Sequence, residues 1–123
     1  MQVILYDMFL KDYQKLKDNL YLGEETLKEH PFIHCSTIEL FKYVAPRFKD
    51  VDEEMILLLI DYEKVKDIVK YEEYKDTKRY YPHIYGPIPK SAIIKTLPYL
   101  KDKDGNWIMN EDLKDYFLPK NDK

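Results

Sequence analysis

Glycine and cysteine are scarce in this chain of 123 residues, and each scarcity closes off a class of chemistry. The three glycines, Gly23, Gly86 and Gly105, stand far apart, so no glycine-rich loop is available to cradle a pyrophosphate, and the P-loop and dinucleotide-fingerprint readings fall away. The single cysteine, Cys35, excludes an intramolecular disulfide framework and cannot supply the thiolates of a structural zinc site. A reducing, cytoplasmic setting is the expectation. Long apolar runs are missing too: the longest, Met55 to Ile60, has six residues, where a membrane-spanning helix needs ~20. Asp7, Lys11 and Asp12 occupy the stretch in which a secretory signal would carry its apolar segment, so Met1 to Lys123 is read as the working molecule. There is no basic excess either. Twenty Lys and Arg against 23 Asp and Glu give a net charge of −3, which offers no overall electrostatic reason to bind nucleic acid or an anionic membrane.

What the chain does have is apolar and aromatic mass. Apolar residues are 45% and aromatics 15% of the whole, enough to bury one core, and the length fits one domain on a prior of ~100–200 residues per domain. We expect that domain over 1–119, with 120–123 fraying. The β-prone start around Val3 and Leu5 gives way to Phe9, Tyr13, Leu16 and Leu20, spaced as one face of a helix. Glu24 to Pro31 reads as a polar connection into a strand carrying Phe32, Ile33 and His34. Ser36-Thr37-Ile38-Glu39 matches a capping box, predicting a helix with Leu40, Phe41, Val44 and Phe48 inward and Pro46 ending or kinking it. Met55 to Ile60 is apolar on both faces and suits a central strand. Val65 to Tyr71 predicts a turn and a strand, and Tyr80 to Gly86 a strand end or rigid loop, with Pro82, Pro87 and Pro89 arguing for an edge. Ile93 to Leu100 and Trp107 to Met109, joined through the Asp104-Gly105 turn, form a further pair, and Asn110 is placed to cap a last helix through Tyr116 and Phe117. About five or six strands and two main helices make this a compact α+β domain.

Two histidines lie in apolar or aromatic company: His34 in Phe-Ile-His-Cys-Ser-Thr and His83 in Tyr-Pro-His-Ile-Tyr-Gly-Pro. An imidazole changes charge near neutral pH, so a pair of them with a carboxylate can bind a phosphate, orient a hydroxyl or move a proton, and Glu72 is the nearest acid. The plain alternative is that each histidine fastens a loop through a backbone carbonyl. A metal site is disfavoured: His30 and His34 have ligand spacing, but Pro31 pushes His30 away from helical geometry, and Cys35 points opposite to His34 on a strand. The same alternation turns the Cys35 thiol into the core, where it is inert. Tyr62 to Tyr85 holds six tyrosines among six cations, yet five acids offset those cations, so a nucleic-acid platform is not supported, although Lys78 and Arg79 are placed to touch one phosphate.

Phe32-Ile33-His34-Cys35-Ser36-Thr37, Leu58-Leu59-Ile60-Asp61, Tyr71-Glu72 and Tyr81-Pro82-His83-Ile84-Tyr85-Gly86-Pro87, in that order, resemble the small bacterial domain of unknown function numbered 952. The resemblance spans nearly the whole chain, and the Asp104-Gly105 turn followed by an aromatic is similar to that family's C-terminal hairpin. It implies a split mixed β-structure similar to the ADP-ribosyltransferase group, whose active members hold a nicotinamide dinucleotide in a cleft, with a His or Arg on an early strand and a later Glu on a ribose hydroxyl. Fold alone does not establish activity. Tyr6 stands where that early-strand His is usual, while His34, Ser36, Glu72, His83 and Tyr85 match family motif positions. The expectation is a cleft with His34, Glu72 and His83 as the chemical groups and Ser36, Tyr85, Tyr6 and Arg79 as ligand contacts. Three functions compete: a module binding a nucleotide-like small ligand, an enzyme acting on NAD or an ADP-ribose-like substrate, and a purely structural protein in which those side chains are scattered or packed. The oligomeric state is not encoded in any pattern read here.

Overall fold

The structure, a computed structural model, describes residues 2–116. Along the chain run β1 (Val3–Phe9), α1 (Leu10–Leu16), β2 (Tyr21–Leu22), α2 (Glu24–Glu29), β3 (Ile33–His34), α3 (Phe41–Val44), β4 (Met55–Asp61), β5 (Val69–Glu73), β6 (Tyr80–Ile84), β7 (Ile88–Pro89), β8 (Ile93–Pro98), β9 (Leu100–Lys101) and β10 (Trp107–Ile108). Alternation explains how two adjacent strands support two cores. β1 and β4 pair antiparallel, Leu5 opposite Leu59 and Ile4 opposite Ile60, and β8 pairs with the other edge of β4. Val3, Leu5, Leu57 and Leu59 therefore enter one cluster with Phe41, Ile38, Tyr99 and Leu113, while Ile4, Leu58 and Ile60 enter a second with Leu22, Ile33, Ile84 and Ile88. That two-sided burial is why Met55 to Ile60 is uniformly apolar.

The second cluster is roofed by another antiparallel sheet in the order β3-β6-β5. Its inward row is Ile33, Ile84 and Val69, and the next row, His34, His83 and Lys70, faces the other way. The two sheets are joined where the Leu5 N–H donates to the Ser36 carbonyl at 2.7 Å and the Ser36 N–H returns to the Leu5 carbonyl at 2.9 Å. The domain is thus α+β with several strands and few, short helices.

Several expectations are corrected by this arrangement. The β-structure is antiparallel in every pair among the described residues, not mixed, and ten strands replace the expected five or six because five of them are two residues long. The first helix ends at Leu16, and Leu20 lies out in solvent instead of continuing its apolar face. Glu24 to Glu29, expected as a connection, is helical: Gly23 takes a left-handed φ of 91° to enter it, and Glu24 and Glu25 sit in its first turn, where carboxylates complement the exposed N–H groups. The expected capping box does not form: the N-cap of α3 is Leu40, without a side-chain cap. Ser36 is committed to the bridge with Leu5, and the Thr37 hydroxyl accepts from the Leu40 N–H at 3.1 Å in the turn that leads into α3. The helix that follows is only the four residues of α3, continued by a 3-10 turn over Ala45–Phe48 that tolerates Pro46 at its start. Pro82 lies in β6, the middle strand, not at an edge. The N and carbonyl of a strand residue point to the same side, so the donor missing at Pro82 falls toward two-residue β3, where the Pro82 carbonyl accepts from Cys35. The last helix is a 3-10 segment, Glu111–Tyr116, with the Asn110 side chain accepting from the Asp112 N–H. Phe117, the expected boundary at 119 and the tail at 120–123 lie outside the described residues.

Candidate functional site

The β3-β6-β5 sheet is what brings distant residues together. Its register sets His34 directly opposite His83, and Glu72, two pairs along from Lys70 and so on the same face, comes beside both His83 and the strand-end Tyr85. One carboxylate oxygen, Glu72 Oε1, lies 2.6 Å from His83 Nδ1 and accepts from the Tyr85 hydroxyl at 2.7 Å. Phe32, two residues before His34 and so on the same face, stacks flat on the His83 ring at 4.1 Å and meets the His34 ring edge-on at 4.7 Å. His83 is thereby fixed twice, by a plane against its face and an acceptor at one nitrogen. Its side chain is 14% exposed against 39% for Glu72, so the imidazole is the more enclosed member. The Tyr85 bond and then the His83 bond hold the Glu72 carboxyl below its usual range, and the same bond raises the Tyr85 hydroxyl. With Nδ1 engaged, Nε2 of His83 has no protein hydrogen-bond partner among the described residues.

A cavity of about 560 Å³ opens beside this face, lined by Tyr6 and Asp7 of β1, His34 and His83, and Arg47 and Arg79 among others. His34 is exposed at its wall, yet partial desolvation lowers its basicity, and the neighbouring His83, Arg47 and His30 lower it further. Burial raises both the Tyr6 hydroxyl and the Asp7 carboxyl, and Thr26 beside Tyr6 opposes part of that shift. Asp7, Tyr6, Thr26 and Phe48 also border an adjoining cavity of about 530 Å³ that holds no histidine and whose far wall carries Asp12, Glu24 and Glu25.

The expected residues thus divide in two. His34, His83, Tyr6 and Arg79 face one cavity, as does Ser36, although Ser36 is 2% exposed with its hydroxyl donated to the Thr37 carbonyl. Glu72 and Tyr85 do not border it: they stand behind His83, where Glu72 reaches the imidazole and not the hollow. Cys35 is buried with its thiol pushed well above the ordinary range. The reading by residue type passed over Arg47, Tyr43, Asp7 and Phe32. Three of these had a signal, since Tyr43 and Arg47 are four apart on a helical segment and Phe32 stands two residues before His34 at the entry to a strand.

The match to known families follows the same span of chain. The model of the family described as "Protein of unknown function (DUF952)" matches residues 9–96, which include both histidine motifs, Glu72 and both cavity-lining arginines. The chain belongs to that family. Among solved structures, this DUF952 chain is similar to protein CC0527 from Caulobacter crescentus: in its crystal structure the TM-score is 0.72 at 20% identity, over 93% of this chain and 96% of that one. The solution structure of CC0527 gives a TM-score of 0.69 at 21% identity, over 95% and 97%. At such identity the likeness shows a shared fold. No curated protein matches the DUF952 chain. Among its described residues, no helix is long and apolar enough to cross a membrane.

Proposed function

We propose that this DUF952 chain is a cytoplasmic module, one domain over residues 1–119, that binds a small nucleotide-like ligand in the cavity between β1, α3 and the β3-β6-β5 sheet. The observation that carries the reading is His83: Phe32 and Glu72 fix its ring, while Nε2 has no protein partner among the described residues and the side chain borders a 560 Å³ cavity. A volume of that order suits a ligand of nucleotide size. His34 and, once its ring is charged, His83 supply donors to anionic oxygens, Arg79 a charged donor, and Tyr6 a hydroxyl. Glu72 acts through His83, holding the tautomer in which Nδ1 carries the proton and leaving Nε2 as an acceptor, or as a second donor once the ring is charged.

Thermal denaturation against nucleoside mono- and diphosphates, NAD and ADP-ribose tests the reading. A ligand at a hundred times its Kd stabilises by about 2.7 kcal/mol, a readily measured rise in Tm. His83→Ala is expected to abolish the rise. No rise with any of these compounds removes the proposal.

The Glu72–His83 pair also favours a second reading, an enzyme acting on NAD or an ADP-ribose-like substrate, consistent with the ADP-ribosyltransferase-like fold that the sequence resemblance implies. In it His83 or His34 serves as acid or base, and Glu72 sets His83. Release of nicotinamide from NAD, lost in Glu72→Gln with Tm retained, is the expected signature; absence of release from the wild-type protein excludes it.

A further inference from the structure

We infer that Arg47 and Arg79 form a clamp for the terminal phosphate of a phosphomonoester, with Tyr43 and Tyr74 holding the two guanidinium groups in place before the ligand arrives. The inference rests on the binding reading above and names the anionic group that the cavity takes.

Arg79 is placed by a hydrogen-bonded turn between β5 and β6. The Tyr74 N–H donates to the Arg79 carbonyl at 2.9 Å, the Arg79 N–H to the Thr77 hydroxyl at 3.2 Å, and the Lys78 N–H to Glu73 Oε2 at 2.9 Å. From there its guanidinium lies 4.1 Å over the ring of Tyr43, and its Nε donates to the Tyr81 hydroxyl at 3.2 Å. A ring face holds a cation by its quadrupole without neutralising it. One of five N–H donors is engaged, and the two Nη groups have no protein acceptor among the described residues. Arg47 repeats the pattern, 5.9 Å from the centre of the Tyr74 ring.

Neither arginine has a carboxylate within ion-pair distance among the described residues, whereas lysines elsewhere do: Lys11 with Glu53, Lys66 with Glu63 and Lys114 with Glu111. Two carboxylates do border the cavity, and neither closes the clamp. Glu73 has one oxygen on the Lys78 N–H, and Asp7, which borders both cavities, is near enough to Arg47 for the guanidinium to hold its carboxyl down against burial but makes no ion pair with it. Against those two acids stand Arg47, Arg79 and Lys75, an excess of one positive charge before any histidine is protonated. Arg47 is also near enough to His34 to lower its basicity, after burial and the neighbouring His83.

The donor set selects the ligand. A carboxylate offers two oxygens and is satisfied by one guanidinium fork, whereas a terminal phosphate offers three and carries close to two charges, matching two forks and an imidazole. Arginines that served only to staple the loop to Tyr43 and Tyr74 would give the same stacking but no dependence of binding on their charge.

Calorimetric titration of the intact protein with phenyl phosphate, benzyl alcohol and AMP separates these cases. Phenyl phosphate is expected to bind and benzyl alcohol not. Arg47→Gln and Arg79→Gln are each expected to weaken phenyl phosphate about tenfold or more. Arg79→Lys, which keeps the charge and loses the fork, is expected to weaken it several-fold, and Tyr43→Leu likewise through its effect on Arg79. Circular dichroism checks each fold, and because Arg47 is exposed, its variant serves if Arg79→Gln does not fold. Phenyl phosphate binding that is unchanged in Arg47→Gln overturns the clamp. If AMP binds the wild type and both Gln variants equally, the clamp fails while the nucleotide reading stands; if phenyl phosphate binds through the arginines and AMP does not bind, the clamp stands and the nucleotide reading fails. No binding by any phosphate overturns both.

Discussion

Glu72 shows how much one side chain is asked to do here. A single oxygen receives the Tyr85 hydroxyl and faces His83 Nδ1, and these bonds keep the carboxyl below its usual range although the residue is well solvated. The sign of the linked stability follows. A carboxylate favoured in the folded state contributes stability above its unfolded pKa and loses it as pH falls through the lower folded value. Urea denaturation of wild type and Glu72→Gln is therefore expected to show a gap near neutral pH that narrows from about pH 5 downward, because Gln cannot ionise. A gap of constant size across that range would mean that Glu72 acts by shape alone. His34 titrates in a separate window: its lowered basicity means that the unfolded chain binds the proton better, so acidification through the imidazole range also destabilises, and His34→Asn removes that part without touching the Glu72 part. The neighbourhood of these residues, not their role, was legible before the fold. His34, Glu72, His83 and Tyr85 do meet, because motif residues flanking apolar strands were the ones a sheet would align. What residue type does not carry is direction, and so Glu72 was expected at a ribose and stands behind the imidazole.

At the scale of elements, the most apolar segment was the easiest to read. Six apolar residues from Met55 admit no solvent face, and β4 is buried on both sides. Elements fixed by tertiary demand were harder. Nothing local in Ser36-Thr37-Ile38-Glu39 reveals that the Ser36 backbone is required by Leu5, and with Ser36 so committed the side-chain bond in this stretch is made by Thr37, in the turn before α3. The difference is measurable. Thr37→Ala is expected to cost about 0.5–2 kcal/mol by freeing the Leu40 N–H, while Glu39→Ala, exposed and without a reciprocal bond to the Ser36 N–H, is expected to lie within about 0.5 kcal/mol of wild type. Equal losses in the two variants would restore the capping box. Pro82 makes the same point for strands. Proline disfavours a central position in general, but a two-residue neighbour leaves little ladder to break, and strand length is set by where β3 must turn toward β1, which no window around Pro82 contains.

For the molecule as a whole, the question is whether the two sheets behave as one body, since the cavity has β1 on one wall and the β3-β6-β5 face on another. They touch in two ways. Ile33 and Ile84 pack into the cluster built on Ile4, Leu58 and Ile60, all of these 0% exposed, and the Leu5–Ser36 pair carries two reciprocal backbone bonds between the sheets. Burial of that extent makes opening of one sheet alone expensive, because it would expose apolar area at about 25 cal/mol per Å² and leave buried amides unpaired. Amide hydrogen exchange is therefore expected to place Leu5, Ser36, Leu58 and Ile84 in one set, exchanging only through global unfolding and with the free energy measured by urea. The turn amides Thr77 and Lys78, near the rim of the cavity and bonded to exposed groups, are expected to exchange through smaller openings. Should Ile84 and Ser36 instead exchange at a clearly lower free energy than Leu58, the second sheet would open on its own. The walls of the cavity would then come together only part of the time, and the affinity of any ligand bridging Tyr6 and His83 would fall by the fraction of time they are apart.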